Sequence, residues 1–262
     1  MTQQSPILLA KPHDGVCLLT LNRPEKRNAL DGSLIQEWTR VLQNLAQDAS
    51  VRIVMLNGNG KHFCAGADIA WMQKMSQCTR AENVEDALQL ARLLKIIDTF
   101  PKPVIGLLHG AVMGGGLGVI ACCDMVVAAD DAVFCFSEAK MGLTPSVISP
   151  YVIPVMGERA ARYYFLTAEK FNVQIAVALK LVQQVVPLEK LFDTGLLLAK
   201  TLLNNSQNAL IEAKKIIRRM TNHDVSAEMM QMTAEHLAAM RASPDAQEGL
   251  RAFLEKRLPI WE

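Results

Sequence analysis

The chain has 262 residues, 50% of them hydrophobic and 20% charged, with a formal net charge of +1. This is the composition of an ordinary globular protein, long enough for one large domain or one domain with a helical appendage. Balanced charge and an aromatic content of 5% exclude a global field or stacking surface of the kind that draws a protein to nucleic acid or an anionic membrane.

Taken in chain order, residues 7–10 and 16–21 predict two strands joined by the turn Pro12-His-Asp-Gly15. A polar loop broken by proline follows at 22–30. Ser33 is expected to cap a helix that carries Leu34, Trp38, Val41, Leu42 and Leu45 on one face. Residues 53–56 read as a short buried strand stopped by Asn57-Gly-Asn-Gly60. A helix is expected after 63–68, and 81–100 carries a clear helical period. Next come a strand at 104–108, a helix at 117–123 and strands at 125–129 and 133–136. Beyond Ser149 the chain reads as largely helical, punctuated by Pro187 and Pro244. Strands alternating with helices predict an α/β fold with a mostly parallel sheet. Residues 1–187 are expected to form the core, and 188–262 a helical region that packs on it or on a neighbouring subunit.

Residues 103–123 imitate a membrane span: they carry no charge, and Gly106, Gly110, Gly114 and Gly118 stand four apart. Six glycines and a histidine dilute its hydrophobicity, so a buried core segment is expected and no membrane partner. The cysteines (Cys17, Cys64, Cys78, Cys122, Cys123 and Cys135) form no C-x-x-C pair and lie mostly in apolar runs. With no signal peptide at Met1-Thr-Gln-Gln-Ser, free thiols in a reducing cytoplasm are the expectation. The histidines at 13, 62, 109, 223 and 236 lack metal-ligand spacing, and no metal is expected.

The run Gly110-Ala-Val-Met-Gly-Gly-Gly-Leu-Gly118 carries the chemistry. Glycines in such number are costly in a regular element and suit a backbone that approaches a ligand closely and offers it bare N–H groups. A second small-residue turn, Phe63-Cys-Ala-Gly-Ala-Asp68, also falls between a strand and a helix; alone it is an ordinary turn with Asp68 as helix cap. Two such turns can converge on one carbonyl oxygen. Glu138, 20 residues after Gly118, is a plausible acid or base. The rival reading is a dinucleotide fingerprint, since Gly116-Leu-Gly118-Val-Ile-Ala121 fits G-x-G-x-x-A and Glu138 stands where a ribose-binding acid would. Against it, residues 109–115 separate the glycines from their strand.

Asn22-Arg-Pro-Glu-Lys-Arg-Asn-Ala-Leu30, His62-Phe-Cys-Ala-Gly-Ala-Asp68, Gly114-Gly-Gly-Leu-Gly118 and Phe134-Cys-Phe-Ser-Glu138 resemble, in order, the motifs of the enoyl-CoA hydratase/isomerase (crotonase) superfamily. Leu166-Thr-Ala168 and Phe253-Leu-Glu-Lys-Arg257 look like its downstream segments. The resemblance implies a spiral of ββα units and a C-terminal helical region that assembles trimers, commonly paired into hexamers. It implies an acyl-CoA substrate, with coenzyme A entering as part of the thioester and no separate cofactor. By position, the N–H groups of Ala67 and Gly115 become an oxyanion hole and Glu138 the catalytic carboxylate. Arg27 falls near the CoA phosphates, backbone around Ala65, Asp68 and Ile69 near the adenine, and Gly114 and Gly118 beside the substrate.

One departure matters. Hydratases of this superfamily generally use two glutamates, and Gly118 stands at the position of the first. Members with only the second include Δ3,Δ2-enoyl-CoA isomerases, so hydratase, isomerase and a non-catalytic acyl-CoA-binding relative all remain readings. A second resemblance favours hydration. Residues 134–153, with Gly157-Glu-Arg-Ala-Ala-Arg162 and Tyr164-Phe-Leu-Thr167, are similar to bacterial methylglutaconyl-CoA hydratases of leucine and isoprenoid catabolism. Those enzymes tend to have the same glycine. Their substrates carry a distal carboxylate, for which Arg159, Arg162, Lys140 and His109 are candidates. Trp71 and Met72 are candidates for the acyl pocket or for core packing.

Overall fold

The computed structural model describes residues 5–221 and 224–261. Residues up to Ala199 form one compact unit and those from Lys200 onward a second. The strands of the first unit are β1 (Ile7–His13), β2 (Gly15–Leu21), β3 (Val51–Gly58), β4 (Val104–Leu108), β5 (Ala111–Met113), β6 (Met125–Ala129), β7 (Val133–Cys135), β8 (Phe171–Asn172) and β9 (Gln184–Val186). Its helices are α1 (Gly32–Gln47), α2 (Ile69–Met75), α3 (Arg80–Asp98), α4 (Gly115–Ala121), α5 (Ser149–Met156), α6 (Glu158–Thr167) and α7 (Val173–Ala178); α8 (Leu191–Leu203) also begins there.

A six-stranded sheet runs β1-β2-β3-β4-β6-β9, antiparallel between β1 and β2 and parallel elsewhere. A three-stranded sheet runs β5-β7-β8, parallel and then antiparallel. The chain visits the two in alternation: β4 lies in the first, β5 in the second, and α4 follows; β6 and β7 repeat the step. A parallel bridge between Cys64 and Val112 shows the same step one turn earlier, after β3. These are successive ββα turns of a spiral. β3 and β4 are almost continuously buried, as interior parallel strands covered on both faces must be.

The core gathers Trp38, Phe63, Phe100, Phe134 and Phe136, all fully buried. α1 buries Leu34, Trp38, Val41, Leu42 and Leu45 as its periodicity predicts, but its cap is Asp31 and not Ser33. The Leu34 N–H donates to Asp31 Oδ1 at 2.9 Å, and the Ser33 hydroxyl donates to the same oxygen at 2.7 Å. Helix starts one residue before Ser33, at Gly32, which leaves the serine inside the first turn.

Beyond Ser149 the chain is largely helical as expected, with β8 and β9, of two and three residues, extending the two sheets; they are too short for alternation to register. Residues 103–123 fold as β4, β5 and α4, and among the described residues no helix is long and apolar enough to cross a membrane. Nor, among those residues, does any group of His, Cys, Asp and Glu side chains form a metal site; His223 lies outside them.

The second unit holds α9 (Gln207–Met220), α10 (Ala227–Arg241) and α11 (Pro244–Leu254), each capped by the serine before it. The Ser206 hydroxyl also donates to Asp245, and the Trp261 indole donates to the Asn204 carbonyl at 2.8 Å. Leu237, Leu250, Phe253, Leu254, Leu258 and Ile260 are exposed.

Asp31 pairs with Arg23 at 2.6 Å. Burial alone would raise its pKa, but bonds from Arg23, the Leu34 N–H and Ser33 outweigh burial and hold the carboxyl below its ordinary value. A depressed carboxylate stabilises the fold above its unfolded-state pKa and loses that contribution as pH falls through the folded value. Asp31→Ala is therefore expected to lower the unfolding free energy by about 1–2 kcal/mol at neutral pH. In urea titrations the gap from wild type should close on acidification.

Candidate active site

The first small-residue turn, 63–68, is strapped between two backbone partners. The Phe63 and Cys64 N–H groups donate to His109 and Ala111, and the Met113 N–H donates back to Cys64. On the other side the Leu30 N–H donates to Gly66 at 2.7 Å and the Asp68 N–H to Leu30 at 2.8 Å. Gly66 has φ +92°, a conformation that side-chain-bearing residues rarely adopt. This pairing uses the Gly66 carbonyl and the Asp68 N–H and passes over the Ala67 N–H. Among the described residues the Ala67 N–H has no acceptor.

The second turn leads from β5 into α4. The Gly114 N–H donates to Cys135 at 3.0 Å, while Gly115 and Gly116 are the first residues of the helix, whose N–H groups have no intrahelical partner. A Cβ on Gly115 would lie 2.8 Å from Leu30 Cδ1, and one on Gly116 would lie 3.0 Å from Cys64 Cβ. The glycines thus let this turn close against the first. A Cβ on Gly116 or Gly118 would meet Cys64 or Ile148 respectively, so these two glycines serve the close packing of α4.

Ala67, Gly114, Gly115 and Glu138 line one cavity of about 240 Å³, whose walls include Leu30, Ile35, Trp71, Met72, Leu90 and Ile148. The Glu138 carboxylate lies against Gly114, since a Cβ there would be 3.2 Å from Oε1. Its Oε2 is buried without a hydrogen-bond partner among the described residues. Burial pushes its pKa above the ordinary glutamate value, only partly opposed by a bond from its own backbone N–H. Two unoccupied amides and a carboxylate with one unpartnered oxygen around one apolar cavity can polarise a carbonyl and move a proton beside it.

Residues 11–262 match the profile of the enoyl-CoA hydratase/isomerase family. The chain belongs to that family. It is similar to a Legionella pneumophila structure assigned as an enoyl CoA hydratase/isomerase (crotonase), at 43% identity over 99% of this chain and 100% of that one, with a TM-score of 0.94. An enoyl-CoA hydratase structure from Shewanella pealeana is 39% identical, covering 99% and 97% of the two chains, also with a TM-score of 0.94. The 2,3-dehydroadipyl-CoA hydratase of Escherichia coli K12 is 31% identical over 96% of this chain and 97% of its own. Enoyl-CoA hydratase-type chemistry is thus supported at the level of the family.

Other residues singled out by the enoyl-CoA hydratase/isomerase resemblance fall in three places. Arg27 is exposed, its guanidinium without a partner among the described residues, and its carbonyl accepts the Ala65 N–H at 3.0 Å. Ile69 is exposed at the start of α2. Asp68 is buried and fully engaged: it caps α2 through the Trp71 N–H at 3.1 Å and pairs with Lys26 at 2.9 Å and Arg23 at 3.4 Å. None of the four cations considered for a distal carboxylate lines the cavity. Lys140 and Arg159 are exposed, Arg162 pairs with Glu158 at 2.7 Å, and the His109 ring bonds the Gly60 carbonyl at 3.0 Å beside a different cavity.

One cavity-lining acid escaped the sequence reading. Asp86 of α3 accepts the Trp71 indole N–H at 3.1 Å. Burial raises its pKa, with the indole bond opposing. Its signal was its register: Asp86 falls on the inward face of α3 with Leu90, Leu93, Leu94 and Ile97.

Gly118, where the enoyl-CoA hydratase/isomerase pattern has its first glutamate, is buried and does not line the cavity. A Cβ there would lie 2.4 Å from Ile148 Cγ2 and 2.9 Å from its Cβ. A branched side chain fills the space a glutamate would need. Gly118→Glu is expected to lose about 1–3 kcal/mol of stability or more through overpacking, and activity with it. Wild-type stability in that variant, measured by chemical denaturation, would show that Ile148 is no obstacle.

Proposed function

We propose that the protein hydrates an α,β-unsaturated acyl-CoA thioester, with Glu138 as its single catalytic glutamate and the Ala67 and Gly115 N–H groups as oxyanion hole. The observation that carries this reading is the buried, partnerless Glu138 oxygen in the cavity that both free amides line. Fixed donors of this kind stabilise the enolate that forms as electrons leave the double bond. The enolate forms as water oxygen bonds to Cβ, Glu138 gives its proton to Cα, and the proton shed by the added water returns through solvent to the Glu138 anion. Coenzyme A enters as part of the substrate, and no resident cofactor or metal is required. The free guanidinium of Arg27 supports a role at the CoA phosphates, and the backbone of Ala65, Asp68 and Ile69 a role at the adenine. Gly114 would flank the thioester; Gly118 acts only through the packing behind it.

A branched acyl group with a distal carboxylate, as in methylglutaconyl-CoA, is the substrate that the likeness over 134–153 supports. With no Lys, Arg or His among the cavity-lining residues, its carboxylate would meet hydroxyls such as Ser137, Thr144 and Ser146 or a neighbouring subunit. The isomerase reading rests on Gly118: one glutamate can shuttle a proton between carbons without a held water. A panel of 2-enoyl and 3-enoyl thioesters, followed by loss or gain of enone absorbance, separates the two. Binding without turnover of any of them would favour a non-catalytic relative.

Glu138→Gln is expected to lower kcat at least about 10²-fold while acyl-CoA affinity stays nearly intact. Because burial raises its pKa, the acid form of Glu138 persists to higher pH than usual, and hydration should fall as pH rises through that value. The variant should lack this limb. Full activity in Glu138→Gln would sink the mechanism.

The exposed apolar side chains of α10, α11 and the segment beyond support assembly into trimers or hexamers through the helical region. Light scattering at micromolar concentration should report three or six chains; a clean monomer would contradict it.

A further inference from the structure

We infer that Asp86 is the second acid/base group of this site, delivered from α3 to the role left open by the absence of a glutamate at position 118. The inference rests on the proposed hydration and adds to it the residue that handles the attacking water.

Three observations carry it. Asp86 and Glu138 are the two charged side chains among the residues lining the cavity, and the cavity is the one that the Ala67 and Gly115 amides line. The Asp86 carboxylate is anchored: Oδ1 accepts the Trp71 indole N–H at 3.1 Å, and Oδ2 has no partner among the described residues. The anchor is itself fixed. The Trp71 backbone N–H is bound to Asp68, its ring packs where a Cβ on Gly32 would come within 2.9 Å, and Lys74 Nζ sits 5.0 Å from the ring centre. Accepting the indole N–H does not by itself call for a carboxylate, since a neutral acceptor would serve it equally. Asp86 lies mid-helix, where it caps nothing, and it forms no ion pair among the described residues. A half-buried carboxylate on a helix face otherwise made of leucine, alanine and isoleucine costs stability, and such costs persist where chemistry needs them.

The two carboxylates divide the reaction by position. Glu138 rests against Gly114, next to the Gly115 amide, and so beside the thioester carbonyl and Cα. Asp86 reaches the same cavity from α3, a different element from the turns that carry Glu138 and the two amides, and takes the water. As the water oxygen bonds to Cβ, one of its protons passes to Asp86. The π electrons shift toward the carbonyl held by the two amides, and the resulting enolate takes a proton from Glu138 at Cα. The net change is addition of H and OH across the double bond; proton exchange with solvent returns Asp86 to its anion and Glu138 to its acid. The environments suit these roles. Burial raises both groups and one N–H opposes it in each, the Trp71 indole at Asp86 and the residue's own backbone N–H at Glu138; Glu138 Oε2 is in addition shut from solvent without a partner, which favours its acid form.

The test compares wild type, Asp86→Asn and Glu138→Gln in two assays. One is hydration of crotonyl-CoA, or of the panel member that wild type turns over fastest. The other is deuterium exchange at Cα of butyryl-CoA in heavy water, which needs Glu138 and the amides but no water attack. Asp86→Asn is expected to lose at least about 10²-fold in hydration and to keep wild-type exchange, while Glu138→Gln loses both. Hydration within about threefold of wild type in Asp86→Asn overturns the inference. Equal loss of exchange and hydration also overturns it, because that pattern marks a structural role. A wild type that hydrates no thioester overturns the proposed function and this inference together, whereas the first two results on an active wild type overturn the inference alone.

Discussion

The site depends on how closely two strand-to-helix turns can approach. Gly116 allows α4 to close on Cys64, Gly115 allows it to close on Leu30, and Gly66 adopts the left-handed conformation that turns the first segment back. Each is a position where a Cβ would meet a neighbour or strain the backbone. The consequence is electrostatic as well as steric. Backbone pairing between Leu30 and the 66–68 segment uses the Gly66 carbonyl and the Asp68 N–H and skips the Ala67 N–H, while entry into α4 leaves Gly115 without an intrahelical acceptor. Two donors on two turns of one spiral are left pointing to no protein partner, around a space that neither turn could form alone.

That space is mostly apolar, and the charge within it is all of one sign. Two carboxylates without a lysine, arginine or histidine among the lining residues is an unfavourable arrangement for a resting fold. It is also an arrangement that raises both carboxyl groups above their ordinary pKa values through burial, the direction that suits a proton donor. The molecule places its neutralised carboxylates elsewhere. Asp31 and Asp68 are held low by Arg23, Lys26 and helix-cap N–H groups despite their burial. Within a few turns of chain the same residue types are thus split into structural anions and groups free to exchange protons.

Much of this was legible in the sequence because it is written in short-range pattern. The parallel strands β3, β4 and β6 carry short apolar runs (53–56, 104–108 and 125–129), α1 and α3 carry a helical period, and the glycine run with Glu138 after it marks the second turn. What escaped is what pattern cannot hold. β5, β8 and β9 have two or three residues each, and their pairing, not their composition, makes them strands. Ser33 and Asp31 are equally good caps by type; only the helix start at Gly32 distinguishes them. The Gly118–Ile148 contact joins residues from separate elements, so the missing glutamate could be noticed but not its replacement. Asp86 was hidden by its setting: in a helix rich in exposed charges, one acid on the wrong face looks like the others until the face is known.

The segment from Gly66 to Trp71 ties these features together. In six residues it supplies the turn, the free amide of Ala67, the cap carboxylate of Asp68 and the indole that holds Asp86. Asp68 is joined to the loop before α1 through Lys26 and Arg23, and Arg23 in turn to Asp31. The same loop is pinned from below by Asn28, fully buried with φ 53°, whose side chain donates to the carbonyls of Asn59 and His62 and accepts the Arg23 N–H. Arg27, the residue proposed to meet the CoA phosphates, sits between these anchors. Ordering of that loop by a bound phosphate would therefore bear on Asp68, and through the start of α2 on both the Ala67 amide and the Trp71 indole. Recognition of the CoA end and alignment of the acyl end share one short, charge-braced piece of chain, because the partners that hold Asp68 come from the same loop as the arginine.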